Sequence, residues 1–197
     1  LGNYHFFNKR YVAAIEKDKN EKDIKALRNI VKPFILRRTK QQVASDLPPK
    51  TEQIHFCNMT EEQATEYDTI KSLFRNELLT AINTQGLNKS QLMILQGLTK
   101  LRQIANHPVL ANPNYLEGSG KFNEVIEMVN KALENNHKIL LFSQFVQNLT
   151  LFKDYFDTTG QAYLYLDGNT SNAERTKLVD EFQDKKGNSA PIFLISL

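Results

Sequence analysis

Cysteine occurs once in the 197 residues, at Cys57. A lone thiol excludes an internal disulfide and a cysteine-built zinc site, and it suits a reducing, intracellular compartment. Cys57 itself reads as an ordinary residue at a strand end. No apolar run approaches the roughly 20 residues a membrane helix needs, so no membrane role is expected. The opening Leu1-Gly-Asn-Tyr-His-Phe-Phe7 lacks the charged start and long apolar run of a signal peptide. It also lacks an initiating methionine, from which we expect a piece of a longer protein. His5, His55, His107 and His137 share no metal-ligand spacing, and His107-Pro108 reads as a helix stop with a packed imidazole. No Ser-His-Asp or Cys-His arrangement emerges, so no catalytic residue and no metal ligand is assigned. Missing too are the phosphate-cradling Gly-x-x-x-x-Gly-Lys-Ser/Thr loop and an acidic Asp-Glu-x-His box for magnesium. There are no internal repeats and no low-complexity tract.

What is present suits a globular chain, with 41% hydrophobic residues and length enough for a core. Charge is uneven. Residues 1–50 hold twelve basic and five acidic residues, and the remainder is net negative. A positive first quarter can follow a phosphate backbone, or it can be solvated lysines on exposed helices; charge alone does not separate the two.

The pattern predicts a helix from Tyr4 to Lys17 and another from Asp23 to Val31, stopped by Pro33. Thr39 with Gln42 forms a capping box for a short helix to Ser45, and Pro48-Pro49 makes a stiff connector. Thr51 to Phe56 alternates and reads as a strand. Thr60-Glu-Glu-Gln63 caps a long helix to about Asn83. Ser90 caps the next, with Leu92, Leu95, Leu98 and Leu101 as its apolar face. Residues 60–106 therefore read as a helical hairpin inserted outside the sheet. A helix follows over 121–134, with Phe122, Val125, Ile126, Val129 and Leu133 inward.

The chain is organised around residues 138–175. Ile139-Leu-Leu-Phe142 reads as a strand buried on both faces, broken by Ser143-Gln144. After an amphipathic helix, a second strand, Ala162 to Leu166, breaks at Asp167-Gly-Asn-Thr170, and Ser171 with Glu174 forms a capping box. The next helix is expected to bury Leu178, Val179 and Phe182, and Ile192 to Ile195 forms a further strand. Strand alternating with helix implies a parallel sheet with right-handed crossovers. Ligands collect at the carboxyl ends of such strands, where both polar breaks fall. Ser143 and Gln144 can donate to a phosphate oxygen, or Ser143 can simply cap the next helix. Gly168, Asn169 and Thr170 can admit an anion to a helix start, or form a plain turn. Asp167 and Arg175 read as an ion pair or loop brace.

Four segments carry a family resemblance. Ile139-Leu-Leu-Phe-Ser-Gln144 resembles helicase motif IV of Swi/Snf-type DNA translocases. Leu166-Asp-Gly-Asn-Thr170 with Glu174-Arg175 resembles that family's Leu-Asp-Gly-Ser-Thr signature, Asn169 replacing a serine while keeping a donor. Pro33-Phe-Ile-Leu-Arg-Arg-Thr-Lys40 with Asp46-Leu-Pro-Pro-Lys50 is similar to the segment joining the two ATPase lobes. Leu101-Arg-Gln-Ile-Ala-Asn-His-Pro108 matches Leu-Arg-Gln-Ile-Cys-Asn-His-Pro, with Ala105 for the cysteine.

The resemblance implies an α/β fold: a RecA-like parallel sheet with flanking helices, a helical hairpin and helices at the amino terminus. Residues 1–50 would end the first ATPase lobe and link the lobes; residues 51–197 would form much of the second lobe. It implies double-stranded DNA as partner, contacted by Ser143, Gln144, Gly168, Asn169 and Thr170, and a protein complex remodelled on that DNA. Arg37, Arg38 and Lys40 would couple the lobes or touch DNA, although surface salt bridges serve equally well. ATP and Mg2+ would serve the whole protein, none being expected on this piece alone, which should not hydrolyse ATP. A second lobe from an RNA helicase and a non-catalytic interaction module are the alternatives. The compact hairpin leans towards a bacterial origin.

Overall fold

A computed structural model describes every residue except 1–2, 17–19, 40–42, 44–47, 49 and 185–188. The chain divides into two compact units, residues 1–54 and 55–197. In the first, α1 (Tyr4–Phe7) and α2 (Ala13–Glu16) are joined through a π-helical turn at Asn8–Val12. Tyr11 is buried there, its ring 5.6 Å from that of Phe7. The second predicted helix is α3 (Glu21–Val31), opened by Asn20, whose side chain accepts from the N–H of Lys22 at 3.0 Å. Pro33 sits in a 3-10 turn at Lys32–Phe34. Gln42, the partner of Thr39 in the expected capping box, and Pro49 of the double-proline connector lie outside the described residues.

Thr51 to Phe56 is not a strand. It takes no regular secondary structure, and Ile54 and Phe56 are 83% and 88% exposed. Alternation says which way side chains would point, but a strand also needs a neighbour to hydrogen-bond, and none of the three strands pairs with this segment.

In the second unit, α4 (Glu61–Gln85) starts where Thr60 accepts from the N–H of Gln63 at 3.2 Å. It ends at Gly86, whose φ of 82° a residue with a side chain rarely adopts. The next helix, α5 (Leu87–Asn106), begins at once. Ser90 is therefore not its cap: it is buried one turn inside, donating back to the carbonyl of Gly86 at 3.1 Å. Ser90, Gly97 and Ile104, seven apart, form the buried seam of α5. A Cβ on Gly97 would lie 2.9 Å from the Phe74 ring, so the hairpin closes tightly there. The expected leucine face is mostly solvent-facing, Leu92, Leu95 and Leu98 being 67%, 61% and 54% exposed. Three residues turn a helix by 300°, so leucines at that spacing spiral around it, and only Leu101 reaches a sheltered position.

After α6 (Gly120–Glu134) come β1 (Ile139–Ser143), α7 (Val146–Thr159), β2 (Tyr163–Leu166), α8 (Asn172–Gln183) and β3 (Ile192–Ser196). The three strands are parallel in the order β1-β3-β2. One face packs on α6 and α7 through Ile126, Val129, Leu149, Phe152, Phe156, Ile192 and Leu194. The opposite face meets α8, where Phe182 lies 5.3 Å from Phe193. Phe182 and Leu178 are half-buried, while Val179 is 38% exposed. Contrary to expectation, β1 is buried on one face only. Leu140 and Phe142 are half exposed because β1 lies at the edge of the three described strands and α8 packs nearer the other edge.

Candidate functional site

Ser143 pairs with Ser196 and Leu166 with Ile195, so the two polar breaks leave the same edge of the sheet with β3 between them. Two strand spacings separate them by about 10 Å.

Ser143 is buried, and its hydroxyl is engaged within the turn. It donates to the Phe145 carbonyl at 3.1 Å and accepts from the Phe145 N–H at 3.0 Å. The N-cap of α7 is Phe145, without a side-chain cap, so Ser143 shapes the approach to the helix instead of capping it. Gln144 is exposed, and its Oε1 accepts from Nη2 of Arg102. With its Oε1 so engaged, Gln144 keeps its NH2 as a donor without a partner among the described residues. The Arg102 guanidinium lies 5.4 Å from the centroid of the Phe145 ring. Nearby, Nζ of Lys121 donates to Oδ1 of Asn106 at 3.1 Å. These residues line a cavity of about 330 Å³ at the end of β1. Arg102 lies inside the Leu101–Pro108 motif and Lys121 at the expected start of a helix, and neither stands out in the sequence as a site residue.

The second loop is tied mainly by Asp167. Its Oδ1 accepts from the N–H of Asn169 at 2.9 Å and its Oδ2 from the Tyr165 hydroxyl at 3.1 Å. The Thr170 hydroxyl accepts from the N–H of Asp167 at 3.1 Å. The Asn169 N–H above all holds the Asp167 carboxyl below its usual range, helped by the Tyr165 and Thr170 hydroxyls. Burial pushes the Tyr165 hydroxyl up, and its bond to Asp167 adds to this. Arg175 donates to the carbonyls of Thr170 and Asp167, both at 3.2 Å, which makes it a loop brace acting through carbonyls. Ser171 and Glu174 form the full capping box, and the Ser171 hydroxyl holds the Glu174 carboxyl low. Gly168 and Asn169 are exposed, and the Asn169 carboxamide has no partner among the described residues. A Cβ on Gly168 would meet nothing within 4 Å, and its φ is not positive, so nothing inside the chain demands glycine there.

Away from the two loops, two polar residues act as struts. Lys138 donates to the carbonyls of Phe182 and Asp184 and to Ser189, closing the end of α8 against the start of β1. His107 ends α5 as expected: its Nδ1 accepts from the N–H of Val109 at 3.3 Å, its ring lies edge-on to Phe122 and Tyr115, and burial lowers its pKa. Arg37 and Arg38 belong to the first unit, exposed in a stretch without regular structure; Lys40 lies outside the described residues. Among the described residues no three His, Cys, Asp or Glu are grouped to hold a metal ion, and no helix is long and apolar enough to cross a membrane.

Residues 1–110 match the SNF2-related domain, and residues 120–197 match the helicase conserved C-terminal domain. The first match runs through the whole helical hairpin. The putative ATP-dependent helicase/translocase YwqA of Bacillus subtilis is 35% identical, the alignment taking in 100% of this chain and 22% of that protein. The ATP-dependent helicase brm of Drosophila melanogaster is 30% identical over 97% of this chain and 13% of its own length. The chain thus spans about a fifth or less of these curated relatives. Among solved structures, the Sulfolobus solfataricus SWI2/SNF2 ATPase core in complex with dsDNA superposes with a TM-score of 0.66 at 32% identity, covering 100% of this chain and 42% of that one.

Proposed function

The chain belongs to the SNF2-related helicase family, and from that premise we propose that it grips one strand's backbone in an ATP-dependent translocase on double-stranded DNA. Residues 51–197 act as much of the second RecA-like lobe. Residues 1–50 act as the end of the first lobe and the link between them, with Arg37, Arg38 and Lys40 coupling the two.

The observation that carries this reading is the pair of polar breaks at one sheet edge, each presenting a free carboxamide donor: the NH2 of Gln144 and that of Asn169. A separation of about 10 Å is on the scale of neighbouring phosphates of one strand. Ser143 and Thr170 set the shapes of the two turns, and Gly168 leaves room for a backbone to approach. Phosphate contacts of this kind fix register and carry no base information, so binding is independent of sequence.

ATP and Mg2+ serve the whole protein, binding and hydrolysis moving one lobe against the other. The residues here offer neither a phosphate-cradling loop nor an acidic pair for magnesium, so what this chain contributes is the grip. A protein complex remodelled on DNA, in a bacterial nucleoid or a eukaryotic nucleus, is the working partner.

Gln144→Ala combined with Asn169→Ala in the intact protein is expected to lower translocation per ATP without unfolding. Single-molecule translocation read beside ATP turnover checks this; an unchanged step per ATP would defeat the assignment. ATPase stimulation by duplex DNA, single-stranded DNA and RNA in parallel tests the wider reading, which requires duplex DNA to stimulate most.

A further inference from the structure

The cavity at the end of β1 is lined by two cations to which no role has been given so far, Arg102 and Lys121. Arg102 is tethered by the carboxamide of Gln144 and Lys121 by that of Asn106. Both tethers are neutral. No aspartate or glutamate lines the cavity, and neither cation has a carboxylate partner among the described residues. The site is positive within a unit that is not, since residues 55–197 carry thirteen basic and sixteen acidic residues. What sets these two apart is that both line one concave site, which therefore carries positive charge alone.

The scaffold holds these groups in place. Arg102 and Asn106 stand four apart on the last turns of α5, so they share a face. Asn106 steers Lys121 at the start of α6, and the Phe145 ring stacks under the Arg102 guanidinium. Buried Ser119 donates to the Asn106 carbonyl at 2.7 Å, locking the junction of the two helices. After its bonds to Gln144 and the Phe145 face, Arg102 keeps further N–H donors, and Lys121 keeps two.

We propose that Arg102 and Lys121 form a phosphate seat for the DNA backbone, adjoining Gln144 and receiving a phosphodiester next to the one that Gln144 contacts. The proposal rests on the reading of this chain as a duplex-DNA grip. It assigns the hairpin's second helix to that grip. Arg102 acts twice: it supplies charge, and it orients the Gln144 amide so that the NH2 points at the backbone. Lys121 supplies charge alone.

The test is the salt dependence of binding by the intact protein to fluorescein-labelled duplex DNA, with duplex RNA in parallel. Removing one phosphate-paired cation reduces the slope of log K against log[salt] by about 0.9. Arg102→Gln and Lys121→Gln are each expected to show that reduction, with affinity at low salt falling several-fold to tenfold. Arg102→Lys is expected to restore the slope but not the full affinity, because a point charge replaces a planar fork. Gln144→Ala weakens binding with the slope unchanged. Wild-type slope and affinity in Arg102→Gln and Lys121→Gln, while Gln144→Ala and Asn169→Ala still weaken binding, would overturn the seat and leave the grip standing. Absence of duplex binding by the unaltered protein would overturn both. Tighter binding to duplex RNA, lost in the same variants, would overturn the choice of DNA.

Discussion

Gln63 is wholly buried, and its one amide joins three helices. Its Nε2 donates to the carbonyl of Ile104 at 2.8 Å, near the end of α5, and its Oε1 accepts from the N–H of Gly120 at 3.0 Å, at the start of α6. It also stands in the first turn of α4, where its own N–H meets Thr60. Beside it, a Cβ on Gly120 would come within 1.8 Å of the Asn58 carbonyl oxygen, so no other residue fits there without moving the backbone. Gln63→Ala would leave a buried N–H and a buried C=O without partners, each costing about 1–3 kcal/mol. A clear drop in the denaturant midpoint is therefore expected, read by chemical denaturation monitored in the far ultraviolet. A variant within about 0.5 kcal/mol of the wild type would mean that water fills the gap and the brace is dispensable. In sequence, Gln63 reads only as the last letter of a capping box; its two partners are 41 and 57 residues away.

At the level of elements, α5 shows how spacing misleads. Its leucines occur every third residue, yet the buried seam falls on Ser90, Gly97 and Ile104, the positions that repeat every seven. Leu95→Gln is accordingly expected to change stability by no more than about 0.5 kcal/mol, while Ile104→Ala costs about 2–5 kcal/mol. Thermal melts of the two variants side by side check this, and equal losses would show that the leucine face is covered. Helix starts were legible because their determinants are local, as at Thr60 with Gln63 and Ser171 with Glu174. The inward faces of α6 and α7 were legible because a packed sheet selects one stripe. The strand expected at 51–56 was misread because pairing is a property of two segments and only one is visible in a local pattern. The site was half legible: Gln144 and Asn169 announce themselves as polar residues after apolar strands. Arg102 and Lys121 do not, since nothing in a window around either shows that the fold brings it beside residues 143–148.

Over the whole of the second unit, the central strand is the one made third. Among the described residues both β1 and β2 pair with β3 alone, and Ile139 and Tyr163 wait for the same partner, Ile192. The order follows from the crossovers: α7 carries the chain past a vacant lane to β2, and α8 brings it back to fill that lane. Every hydrogen bond of this sheet is therefore long-range, closing loops of roughly 30 to 50 residues at a cost that local helix formation does not bear. For a nascent chain on the ribosome, the consequence is abrupt. Until residues 192–196 have cleared the exit tunnel, two apolar strands and the aromatic stripe of α7 have helices but no sheet to rest on. A chain stalled before residue 192 is expected to be cut readily by protease and held by chaperones, and one released a few tens of residues later to resist. The edge that carries the proposed backbone grip thus comes into being in a single step, when the middle strand slides between its neighbours.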